Sequence, residues 1–149
     1  MPDYNKLIAF FDEYITHYKE FLQFEYLKLD MINNNQIEKL SKSLSTEQAL
    51  IMKTNAYETK RVKLLEGMTG TFAEIAANAP SEYSGRLTEQ HKELSEIVFR
   101  IKELNDAANI TVTERLKKIQ RKTAELDVYD GKGTLKREHA SRLAISKNV

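Results

Sequence analysis

The stretch from Ser81 to Leu126 decides most about what this chain can fold into. It holds no Pro and, after Gly85, no Gly, so nothing in it has to interrupt a helix. Apolar residues at Leu87, Leu94, Ile97, Val98, Ile101, Leu104 and Ala108 keep the heptad spacing of a helix seam. Past Ala108 that register fails, because Arg115 and Lys122 stand where apolar residues belong. The stripe resumes through Val112, Leu116, Ile119, Thr123 and Leu126, a four-residue slip of the kind that locally unwinds a supercoil and re-aims its seam. The spacing predicts one long helix with a packing half and a differently facing, basic half.

The rest of the chain supplies helices for it to pack on. From Tyr4 to Ile32, apolar residues recur at i, i+3, i+4 and i+7: Tyr4, Leu7, Ile8, Phe11, Tyr14, Ile15, Tyr18, Phe21, Leu22, Leu29, Ile32. Eight of the 13 aromatic residues fall between Tyr4 and Tyr26, which widens this face beyond what one neighbouring helix covers. Such a face is expected to lie between two helices; the alternative is a surface offered to another chain. Asn33-Asn34-Asn35 predicts a tight turn, since Asn favours caps and turns over helix interiors. Asn35 and Glu38 have the spacing of a capping box, which starts a second helix at Gln36. That helix is expected to run to about Met68. Its seam is interrupted by Glu47, Gln48, Thr54, Asn55 and Glu58, polar groups that cost stability but fix register or partner choice. Gly67 and Gly70 end it, Thr71–Asn78 allows a short helix, and Pro80 leads into the long third helix.

Three long helices joined by short turns predict an all-α, elongated antiparallel three-helix bundle or coiled coil. The third helix, the longest, should overhang the turn at Asn33–Asn35. Residues 1–130 form the helical domain, and residues 131–149, too polar to hold themselves folded, form a flexible basic tail.

Composition narrows the function. The absence of Cys leaves no disulfide or thiol chemistry and is compatible with the cytoplasm. Leu7–Phe11 is the longest apolar run, far short of a membrane span or a signal-peptide core, so no membrane insertion and no cleaved export signal are expected. A net charge of +1 argues against nucleic acid as a partner. The charge is uneven: residues 1–112 carry 13 basic against 17 acidic side chains, and residues 113–149 carry 10 against 5. A solvated basic face is the plain meaning, and steering of an acidic partner the other.

Catalytic and metal-binding patterns are missing. His17, His91 and His139 share no ligand spacing, and Glu13, His17 and Glu20 read as a solvated helix face. Gly131-Lys132-Gly133-Thr134 fails as a phosphate loop, because Leu126 stands where its first Gly belongs. No catalytic residue, metal site or cofactor is expected, and the protein reads as a non-enzyme.

Four segments together carry a resemblance: Lys28–Leu40 across the predicted turn, Glu47–Lys53, Glu58–Leu65, and Glu103–Asn109 running on into a helix whose end contains Val128-Tyr129-Asp130. In order, spacing and total length they resemble the FlgN family of flagellar export chaperones over roughly residues 4–130. After Tyr129 the likeness ends. The resemblance implies a cytoplasmic chaperone that keeps hook-associated (hook–filament junction) subunits soluble and delivers them to the flagellar type III export gate. It implies binding of the clients' C-terminal amphipathic helices, largely through the third helix and its tail, by a monomer or weak homodimer. The candidate partner-binding residues are Val112, Leu116, Ile119, Thr123, Leu126 and Tyr129. Arg115, Lys117, Lys118, Arg121 and Lys122 flank that stripe and favour acidic flanks on the client. The alternative is a self-associating structural coiled coil without a client.

Overall fold

In a computed structural model, which describes the backbone of residues 2–130 and the side chains as far as Glu125, the chain is all-α. Its elements are α1 (Tyr4–Asn33), α2 (Ile37–Leu64), α3 (Phe72–Asn78) and α4 (Ser81–Asp130), with no strand among the described residues. The tail at 131–149 lies outside them. No described helix is long and apolar enough to cross a membrane.

Local chemistry sets the boundaries. Asp3 caps α1 by accepting a hydrogen bond from the Lys6 N–H at 3.0 Å. The turn after α1 is a Schellman motif: the Gln36 N–H donates to Met31 O at 2.9 Å and the Asn35 N–H to Ile32 O at 3.2 Å. Asn35 takes the left-handed conformation this requires, φ 54°, which Asn tolerates better than most residues. Asn35 is therefore the end of α1 and not the cap of α2. The expected capping box with Glu38 does not form; the N-cap of α2 is Gln36, without a side-chain bond. α2 ends at Leu64, four residues short of the expected end at about Met68, and Gly67 and Gly70, φ 85° and 99°, shape the turn that follows. Thr71 then caps α3 by accepting from the Glu74 N–H.

The helices run up, down and up, so α1 and α4 are parallel to each other and α2 is antiparallel to both. Pairs that join α1 to α4 climb together: Tyr4 with Tyr83, Asp12 with Gln90, Lys19 with Glu93, Lys28 with Asn105. Pairs between α1 and α2 run in opposite directions, His17 with Thr54 and Lys28 with Glu47. α1 is the central element: α2 packs on it alone and makes no close backbone approach to α4.

The lower half is an aromatic core. Phe10, Phe11 and Tyr14 of α1 are buried against Tyr57 of α2, Phe72 of α3 and Leu87 of α4. The Phe11 and Phe72 ring centroids are 4.0 Å apart, and Phe10 stacks on Tyr14 at 5.3 Å. The aromatic face of α1 is thus internal, covered by three elements at once. Burying rings of this size supplies much of a small bundle's stability. Burial raises the Tyr14 phenol well above its ordinary range and keeps it neutral.

Polar groups are buried beside and above this core. Gln90 is fully buried, its amide nitrogen donating to Ile8 O and to Asp12 Oδ1, both at 2.9 Å. His17, expected on a solvated face, is buried as well. Its Nε2 meets Thr54 Oγ1 at 2.7 Å and its ring stacks on Tyr57 at 5.2 Å. Glu13 and Glu20 stay exposed, so the three do not share a surface. Burial, reinforced by Lys53, holds the His17 pKa below the usual value.

Candidate functional site

The upper end of the bundle is where the apolar stripe of α4 meets the α1–α2 turn. α4 passes the turn at Arg115, whose guanidinium donates to Ile32 O and Asn33 O. These are among the last carbonyls of α1, Ile32 O being shared with the Asn35 N–H of the Schellman turn, and a cation belongs there on both hydrogen-bonding and dipole grounds. Arg115 is thus spent on the fold and is not free to attract an acidic partner. It also explains the break in the heptad pattern: a cation occupies the seam because the seam here faces a helix C-terminus.

Beyond Arg115, Leu116–Asp130 adds 15 residues, roughly 22 Å of helix at about 1.5 Å per residue. Beside the turn the three long helices leave a groove of about 440 Å³. Met31 and Ile32 line it from α1, Leu40 and Leu44 from α2, and Val112, Leu116 and Ile119 from α4. Val112 and Leu116 are half-buried on its wall, and Ile119 is 39 % exposed.

The structure therefore brings together three of the six residues singled out from sequence. Thr123 is buried, its hydroxyl donating to Ile119 O at 2.8 Å, and does not line the groove. Leu126 and Tyr129 lie in α4, but their side chains fall outside the described residues. The stripe does not stand wholly clear of the other helices. Val112 and Leu116 instead share one wall-to-wall space with the ends of α1 and α2. Lys117, Lys118, Arg121 and Lys122 are exposed, as a basic flank requires.

At the foot of the groove sits a buried ionic cluster that periodicity did not single out. Lys28, 7 % exposed, places its Nζ 3.1 Å from Glu25 Oε2, 3.5 Å from Glu47 Oε1 and 3.4 Å from Asn105 Oδ1. Lys28 and Glu47 line the groove. Two carboxylates share one ammonium, and Glu25 Oε2, though at ion-pair distance, makes no hydrogen bond. Burial raises the Glu25 pKa above the usual carboxylate value, with Lys28 opposing and Glu47 adding to the shift. Among the described residues no three His, Asp or Glu side chains are placed to hold a metal ion. The arrangement offers an apolar trough with a charged floor, suited to receiving a side chain.

A family model described as FlgN protein matches residues 1–135 of the 149. Neither the curated proteins nor the solved structures give a match.

Proposed function

Because the chain belongs to the FlgN family, a family of flagellar export chaperones, we propose that it binds hook–filament junction subunits in the cytoplasm through the groove beside Arg115 and delivers them to the type III export gate. The observation that carries this reading is the groove itself. It is apolar along its walls and open to solvent, and it lies at the end of the bundle away from the aromatic core. An amphipathic helix, laid along Val112, Leu116 and Ile119 with its apolar face inward, satisfies both partners. The exposed lysines and arginine of α4 then face the polar side of that helix and favour acidic residues there.

The test is the double substitution Leu116→Asp with Ile119→Asp. Both side chains are incompletely buried, so helicity should persist and the melting midpoint should move only slightly. Binding to a junction subunit's C-terminal peptide should be lost. Undiminished affinity in the folded variant would place the client elsewhere. Light scattering adds a second arm: a chaperone should form a heterodimer with its client. A chain that only self-associates, through exposed apolar residues such as Met52 and Val62 of α2, would support the structural coiled coil instead.

A further inference from the structure

The groove is not uniformly apolar. Glu47 stands in its lining, 6 % exposed, and among the described residues it accepts no hydrogen bond; its one charged contact is Lys28 Nζ at 3.5 Å. That ammonium lies nearer to Glu25, at 3.1 Å, and also donates to Asn105. Two buried carboxylates therefore depend on a single cation, and the one facing the groove has the looser share. Arg115, the other cation in the lining, is held by the carbonyls of Ile32 and Asn33. The cations of α4 beyond it are exposed and do not line the groove. Nothing else among the described groove residues neutralises Glu47, and a buried charge without a matched partner is costly.

We propose that the helix filling this groove carries a lysine or arginine on its buried face, placed over Glu47, so that the client supplies the second cation of a four-membered ionic cluster. This rests on the reading that the groove receives a client helix, and it adds a selection rule to that reading. Apolar walls accept any amphipathic helix. An acidic floor under an apolar wall accepts the one whose inward face is interrupted by a cation at the matching turn. A helix presenting an acidic residue there would add a third carboxylate to one ammonium and be rejected. The cluster and the basic outer flank of α4 thus ask opposite charges of the two sides of one client helix, which fixes its rotation about its own axis.

The probe is a synthetic peptide spanning the C-terminal helical segment of a hook–filament junction subunit, with each of its Lys and Arg residues replaced by Ala in turn. Titration by fluorescence anisotropy is made against the full chain, against Glu47→Gln and against Leu116→Asp with Ile119→Asp. One basic position should weaken binding to the native chain by roughly tenfold or more, as expected for a charge-assisted hydrogen bond. The same replacement should cost little against Glu47→Gln, and Glu at that peptide position should cost more than Ala against the native chain. If every basic position scores alike on the native chain and on folded Glu47→Gln, the selection rule is overturned. The groove assignment then survives, provided the Leu116 and Ile119 double variant has lost binding. If that variant binds undiminished, the groove assignment falls and the rule with it. Should Glu47→Gln not fold, the scan on the native chain decides alone: no basic position costing more than about threefold overturns the proposal.

Discussion

Replacing Lys28 with Ala tests how this bundle tolerates ions in its interior. The substitution removes the one ammonium shared by Glu25 and Glu47 and leaves both carboxylates buried. At 3.5 Å and an effective dielectric constant of about 20, each ion pair is worth roughly 5 kcal/mol of Coulomb attraction. Protonation caps the loss, because a carboxylate stranded in the interior takes up a proton before it pays the whole penalty. The expected destabilisation at neutral pH is therefore about 3–5 kcal/mol, the cost of breaking a buried pair from one side. For a chain of this length that lowers the melting midpoint by about 10–15 °C. The pH dependence has a definite sign. Burial already raises the Glu25 pKa, so its folded value lies above its unfolded one. The stability that its neutral form contributes is complete below the unfolded value and is lost as pH rises through the folded value. Removing Lys28, which opposes the shift, pushes Glu25 further up. The variant's deficit should be smaller at pH 5 than at pH 8, because its folded state holds the Glu25 proton more tightly than the native chain does. Thermal melts followed by circular dichroism across that range supply the measurement. A triple variant, Lys28→Met with Glu25→Gln and Glu47→Gln, should be close to neutral or more stable than the native chain. A single variant that melts within about 2 °C of the native chain at pH 7, or whose deficit is the same at both ends of the range, would show that the cluster is solvated and not buried.

Leu104→Ala should cost about 2–5 kcal/mol in urea unfolding, because Leu104 of α4 is 6 % exposed. Leu94→Ala, at a half-buried seam position, should cost visibly less, and equal costs would mean that Leu94 is as buried as Leu104 in solution. The His17 ring is held neutral by burial, so its contribution is complete above the ordinary histidine value of about 6.5 and is lost as pH falls toward its lower folded value. The midpoint urea concentration should decline below that point, and His17→Gln should flatten the decline; an unchanged slope would exclude His17 as its source.

Much of this architecture is written in the seam spacing. In α4, the Gly-free run, the heptad stripe and the slip after Ala108 together anticipate a single long helix whose packing changes near Arg115. The turn at Asn33–Asn35 and the short α3 follow from residue chemistry alone. What apolar spacing leaves hidden stands at seam positions held by polar residues. Leu7, Phe11, Tyr14, Tyr18, Phe21, Glu25, Lys28 and Ile32 alternate four- and three-residue steps without interruption. The apolar residues step off this seam at Leu22 and rejoin it at Ile32, leaving Glu25 and Lys28 between. Gln90 likewise fills the slot between Leu87 and Leu94. In α2 the seam runs through Glu47, Thr54 and Glu58, already visible as a polar interruption, but Glu47 and Thr54 find their partners on α1 while Glu58 pairs with Arg61 of α2 itself. Spacing says that such a residue is inside; which ion or hydroxyl receives it depends on three-dimensional register. The groove is invisible for the same reason, since its walls come from residues about 80 positions apart in the chain.

That separation has a cost in time. The parallel pairing of α1 with α4 joins residues 74 to 83 positions apart, Arg100 with Tyr26 and Arg115 with Ile32 among them. On a ribosome adding about 5–20 residues per second, α1 waits roughly 4–16 s between its own completion and that of the segment that covers it. During that interval its aromatic face is exposed to whatever else is in solution. α2 arrives sooner, with Thr54 only 37 positions after His17, and docks on the same helix. Its half-buried Tyr57 packs on Phe10, Tyr14 and His17, so α2 can shade α1 while α4 is still being made. Non-local contacts of this kind slow folding generally. Here they make α2 a provisional cover in the nascent chain.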